Sequence, residues 1–155
     1  MIDVSHGLGI ETDAVITRMD DPIGKYVGNA LEVVEAIDTL AGRGPEDSVE
    51  IICVLGAQLL LATGKASSRG EGVEMVKEQL FSGKALDNFS EMAKASNADR
   101  DSVDDLCNLS NTPHDFLSKS ETVTELTVQR NGFVERIKAM PIATVSNELG
   151  AGRAR

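Results

Sequence analysis

Glu32 and Glu35 stand three residues apart at the head of an apolar-periodic run, directly behind the loop-forming stretch Met19-Asp20-Asp21-Pro22-Ile23-Gly24. Residues at that spacing share a helix face, and carboxylates are favoured near a helix start by the positive end of its dipole. A loop followed by a carboxylate on the next helix can hold a hard cation. Backbone carbonyls freed by irregular chain supply neutral oxygens, and the acid supplies charge. Composition alone favours the plainer reading, two acids on a solvated face.

The other chemistry-bearing residues are sparse. His114 follows Pro113 and precedes Asp115, a neighbour pair that suggests acid–base work, but adjacency in sequence sets no side-chain geometry and no nucleophile accompanies it. A surface loop histidine is the simpler account, and His6 takes the same reading. Cys53 lies in an apolar run and reads as a small buried hydrophobe. Cys107 sits in a polar region, and neither cysteine belongs to a C-x-x-C pair. Gly7-Leu8-Gly9 lacks the strand–turn–helix setting of a dinucleotide loop. Gly150-Ala151-Gly152-Arg153 follows a helix end, where carbonyls point outward, so it reads as a stop and not as an anion cradle.

The elements that must position these residues can be read from their periodicity. Met1, Ile2 and Val4 read as the tail of a helix ended by Gly7 and Gly9. Ala14-Val15-Ile16-Thr17 is short, apolar and β-branched, which predicts a buried parallel strand. The loop after it would then lie at a strand's carboxyl end, where open α/β folds place ligands. From Asn29, the spacing of Ala30, Val33, Val34, Ile37, Leu40 and Ala41 predicts a helix ending at Gly42. Pro45, followed by Glu46 and Asp47, opens a second helix running to about Thr63. Its apolar residues cover much of the circumference, which predicts extensive burial. Ser67 or Ser68 opens a pair of short amphipathic helices broken at Ser82-Gly83, with Met75, Phe81 and Met92 as core filler. Residues 96–120 read as a polar connector with a weak helical turn or two. After Thr122 the period becomes two, and Asn131-Gly132 predicts a hairpin returning through Phe133, Val134 and Ile137. Pro141 then opens a short helix closed by Gly150.

Composition bounds the function classes. The chain has 155 residues, 41% of them hydrophobic but only 3% aromatic, so its core must be aliphatic. Few aromatics argue against single-stranded nucleic-acid binding, which relies on stacking. The net charge of −10 disfavours nucleic acid and anionic membranes as partners. The start MIDVSHGLGI is no signal peptide. The longest apolar run, Ile51 to Ala62, is shorter than the about 20 residues a bilayer span needs. A cytoplasmic protein is the expectation.

Four stretches carry a resemblance: MDDPIGKYVGNALEVVEAI over 19–37, Gly44-Pro45-Glu46-Asp47, Ser82-Gly83-Lys84-Ala85-Leu86 with Phe89, and Leu149-Gly150-Ala151-Gly152-Arg153. In order and spacing they resemble the pyrimidine-nucleoside phosphorylases, the family that includes thymidine phosphorylase. The resemblance implies an internal to C-terminal fragment of that enzyme and an α/β fold class. Residues 1–118 would be a helix-rich remainder of the central α/β domain, and 119–155 the truncated start of a β-containing C-terminal α+β domain. It implies a pentosyltransferase with a pyrimidine nucleoside and phosphate as co-substrates, a homodimer when full length, and no required cofactor. Catalytic and base-binding groups would come from segments ahead of the matched part, a glycine-rich Lys-His-Ser-Thr loop and a helix bearing Arg, Ser and Lys. No catalytic or substrate-binding residue is therefore expected in this chain. A structural potassium ion would fall on the backbone carbonyls of Ile23 and Tyr26 and on the Glu35 carboxylate. Two other readings stand beside this one: a non-catalytic module that associates with full-length subunits, and a fragment of a related phosphoribosyltransferase.

Overall fold

The computed structural model describes residues 1–117 and 120–151. Helix α1 spans Ile2–Gly7, α2 Asn29–Leu40, α3 Glu46–Ala62, α4 Arg69–Phe81, α5 Lys84–Ala95, α6 Arg100–Cys107 and α7 Ala139–Ser146. A 3-10 turn occupies Pro113–Asp115, and a π-turn at Asn147–Ala151 follows α7.

The helix starts follow local chemistry. Ser68 caps α4 by accepting from the Glu71 N–H, and the Glu71 carboxylate accepts in turn from the Ser67 N–H at 2.8 Å. The Ser67 hydroxyl and N–H together hold the Glu71 carboxyl below the usual range. The polar stretch after Ser96 holds a full helix where the sequence reading gives only a turn or two. Asp99 caps this α6, accepting from the Ser102 N–H at 2.9 Å and hydroxyl at 2.7 Å. Those two donors depress its carboxyl, so the cap's contribution is present above the unfolded carboxylate pKa and is lost as pH falls. Lys94 ties α5 to α6 through Asp104 at 2.6 Å.

The core is small and aliphatic: Val34 and Ile37 from α2, Cys53 and Ala57 from α3, Leu80, Leu86 and Val103 from the next three helices. Helices α3 and α4 form the most extensive pairing. They approach closely because glycines face the contact. A Cβ on Gly72 would lie 2.9 Å from the Ala57 Cα, and one on Gly56 would lie 2.7 Å from Val76.

Several expectations are corrected. Residues 14–17 form no strand, and Ile16 is 98% exposed. The preceding segment is tied to α3 by a side-chain bond, Gln58 Nε2 to Asp13 Oδ2 at 2.9 Å. A lone extended segment has no second backbone to complete a ladder. Residues 123–137 likewise form no hairpin, and Leu126 and Phe133 are fully open to solvent. An isolated two-stranded pair is marginal without a layer to bury one face. No strand occurs among the described residues, and the helix-rich remainder of an α/β domain is what the fold matches. Thirdly, α3 is not buried all round. Its contact with α4 covers Cys53 and Ala57, while Leu55 and Leu59 on its open side are exposed. Phe81 and Met92 are exposed as well, and Leu80 and Leu86 fill the positions expected of them.

Candidate functional site

The stretch from Asp20 to Gly28 is irregular, so its backbone donors need partners from elsewhere. Carboxylates supply them. The Lys25 and Tyr26 N–H groups each donate to Glu35 Oε2 at 2.8 Å. The Gly24 N–H donates to Asp47 Oδ2 at 2.9 Å, and the Gly28 N–H to Glu32 Oε1 at 2.8 Å. Glu32 and Glu35 come from α2 and Asp47 from the first turn of α3, so two helices grip one loop. The bond from Gly28 is the reach-back of a capping acid to the N-cap N–H. Beside the loop, Arg18 donates to Asp21 at 2.5 Å.

Gly24 is required where it stands. Its φ is +75°, and a Cβ there would fall 1.8 Å from Glu35 Oε1. Gly24→Ala is therefore expected to cost about 1–2 kcal/mol in left-handed strain and to push the carboxylate off its two donors. Amide exchange at Lys25 and Tyr26 will accelerate if so. Unchanged exchange at both would refute the clash.

The structure brings Ile23, Tyr26 and Glu35 to one groove of about 630 Å³. Pro22 and Val27 form its loop side, Ala36, Leu40 and Ile51 its floor, and Ile142 and Ala143 of α7 its far wall. The lining is apolar apart from Glu32, Glu35 and the hydroxyls of Tyr26, Thr39 and Ser48. Neither Lys nor Arg is among its lining residues, so a phosphate there would meet two carboxylates and no cation. A neighbouring groove of about 760 Å³ gathers Arg18, Arg136 and Lys138 but also Asp20 and Asp21, and no Ser or Thr lines it. Among the described residues no group of three or more His, Cys, Asp or Glu is placed to hold a metal ion.

Sequence reading picked out Glu35 and missed how the loop is held. Asp47 read as an acid suited to a first turn, and Glu32 as a solvated acid. No spacing rule links position 24 to position 47, because the bond forms only once α2 and α3 have packed. The remaining candidates stay apart from this site. His6 Nε2 lies 3.2 Å from the Thr12 carbonyl oxygen, a local tie near the surface. The His114 side chain lies outside the described residues. Cys53 is buried and Cys107 partly so, and burial pushes both thiols up.

Comparison with known proteins follows the same stretch. The family described as glycosyl transferase family, a/b domain, matches residues 2–86. The chain is 38% identical over 154 residues to the pyrimidine-nucleoside phosphorylase of Geobacillus stearothermophilus, covering 99% of this chain and 34% of that protein. It is 37% identical over 158 residues to the thymidine phosphorylase of Homo sapiens, covering 100% of this chain and 32% of that one. The pyrimidine-nucleoside phosphorylase of Bacillus subtilis (strain 168) is 36% identical over 154 residues, with 99% and 34% covered. The chain thus spans about a third of the length of the curated relatives it matches.

Proposed function

This chain belongs to the glycosyl transferase family, a/b domain, and from that premise we propose that it is part of a pyrimidine-nucleoside phosphorylase. The whole enzyme would catalyse reversible phosphorolysis of thymidine or deoxyuridine, releasing the base and 2-deoxyribose 1-phosphate, with phosphate as co-substrate. The observation that carries this is identity of 36–38% to such enzymes over nearly the whole chain. Residues 1–118 would complete the central α/β domain and 119–155 would begin the C-terminal one. Segments 14–17 and 123–137 would pair as strands only against backbone supplied by the rest of the enzyme. The open flank of α3, with Leu55 and Leu59 exposed, supports that reading, since a covering layer would bury it.

In this proposal the chain is scaffold. Its main groove is apolar, and its basic groove carries acids of its own. Phosphorolysis needs anion donors and groups that polarise the leaving base, which the rest of the enzyme would provide. Ile23 and Tyr26 through their backbone carbonyls, and Glu35 through its carboxylate, would contribute part of a structural site for a monovalent cation, potassium. Among the described residues no helix is long and apolar enough to cross a membrane. A cytoplasmic, homodimeric parent is part of the proposal.

The test is thymine release from thymidine and phosphate. The isolated chain is expected to give no more than a protein-free control. Phosphate-dependent release by the isolated chain would overturn the scaffold assignment. A non-catalytic module that pairs with full-length subunits is supported by the same exposed flank, and co-purification with such a subunit would favour it.

A further inference from the structure

Helix α7 buries none of its residues, and the described chain before it, 120–138, is exposed throughout. Its place is set by the loop at both ends. The Ala139 N–H donates to the Asp20 carbonyl at 2.9 Å. At its far end, Ser146 Oγ and, in the turn that follows, Ala151 Cβ close on Gly28, where an added Cβ would meet them at 3.4 and 3.2 Å. Between these points Ile142 and Ala143 face Pro22 and Val27 across the apolar groove. The loop is held in turn by Asp47, Glu35 and Glu32 through its own N–H groups. Each link therefore depends on the one before: acids of α2 and α3 hold the loop, and the loop holds α7.

We propose that residues 20–28 form a strap that latches α7 onto the α2–α3 face, with Glu35 and Asp47 as its catches, so that strap and helix open together as one unit. Neither carries packed core of its own, so the unit opens at lower free energy than the α2–α6 body. This inference does not rest on the enzymatic assignment.

Hydrogen–deuterium exchange on the full chain tests it. In the double variant E35Q/D47N, the volume is kept and the charged acceptors are lost. Exchange at Gly24–Tyr26 and at Ile142–Ser146 is expected to rise together by about tenfold or more, with α4, α5 and α6 unchanged. Faster exchange in the loop with α7 unaffected would overturn the proposal. A common rise across α2–α6 would also overturn it, since the catches would then hold the whole body. Should that variant fail to fold, A139P removes the N–H that ties the start of α7 to Asp20. Proline is tolerated at a first helical position, and Lys138 at φ −85°, ψ 123° already has the backbone a following proline requires. Exchange in α7 is then expected to rise while Gly24–Tyr26 stay protected, and an unaffected α7 would overturn the proposal.

Discussion

Ile37→Ala is expected to destabilise the chain by about 3 kcal/mol, lowering Tm by about 6–12 °C for a chain of this size. Ile37 is 1% exposed, and with Val34 it is one of the two largest fully buried side chains. The two are three residues apart on α2, so they fill the core from one face. That helix meets α4, α5 and the 3-10 turn at Pro113–Asp115, so the space left by Ile37 is walled by separate elements that cannot all close in. Domains of this kind have only about 5–15 kcal/mol in total, so the loss is a large fraction. Leu59→Ala is the matched control. Leu59 is 67% exposed on the open flank of α3, and its truncation is expected to stay within about 0.5 kcal/mol. Thermal denaturation followed by circular dichroism compares the two. Equal shifts would mean that the core does not lie under α2.

The contrast between those two residues marks what the sequence could reveal. Both sit in apolar stripes of helical period, and the period correctly located α2, α3, α4 and α5. Periodicity tells which residues share a face, but not whether anything covers that face. Leu59 is open because the contact with α4 covers the side of α3 that carries Cys53 and Ala57. The same limit explains residues 14–17 and 123–137. Their alternation and β-branching state a preference for pleated pairing, whereas a ladder is a property of two backbones. Helix α6 shows the converse. Its composition, rich in Asp, hid an amphipathic turn set that Asp99 caps and Val103 anchors.

The loop was legible in its backbone and not in the bonds that hold it. Pro22 and Gly24 announced irregular backbone, and Gly24 does take the positive φ that only glycine adopts without strain. Glu35 stood out because an acid behind a loop invites a bonding role. Its partners turned out to be N–H groups of Lys25 and Tyr26, which any residue but proline supplies. Side-chain identity carries no record of such bonds. Asp47 was hidden for the further reason that its partner is 23 residues away in sequence.

Gly72→Leu is expected to cost about 2 kcal/mol or more, even though leucine favours a helix over glycine by about 0.8 kcal/mol. Propensity and packing oppose each other here, and the atoms involved decide between them. A Cβ at position 72 would lie 2.9 Å from the Ala57 Cα and 3.2 Å from the Ala57 carbonyl oxygen. Both are backbone atoms of α3 and cannot rotate aside, so the two helices must separate. Separation also opens the contact of Gly56 with Val76 farther along the same pair, where a Cβ would sit 2.7 Å from Val76. Gly70 lies on the same helix with nothing within 4 Å of its Cβ position. Gly70→Ala therefore carries the propensity gain alone and is expected to stabilise by about 0.5–1 kcal/mol. Urea unfolding of both variants reads the difference as midpoints moving in opposite directions. Were Gly72→Leu to move with Gly70→Ala, the close crossing of α3 and α4, on which the burial of Cys53 and Ala57 depends, would be refuted.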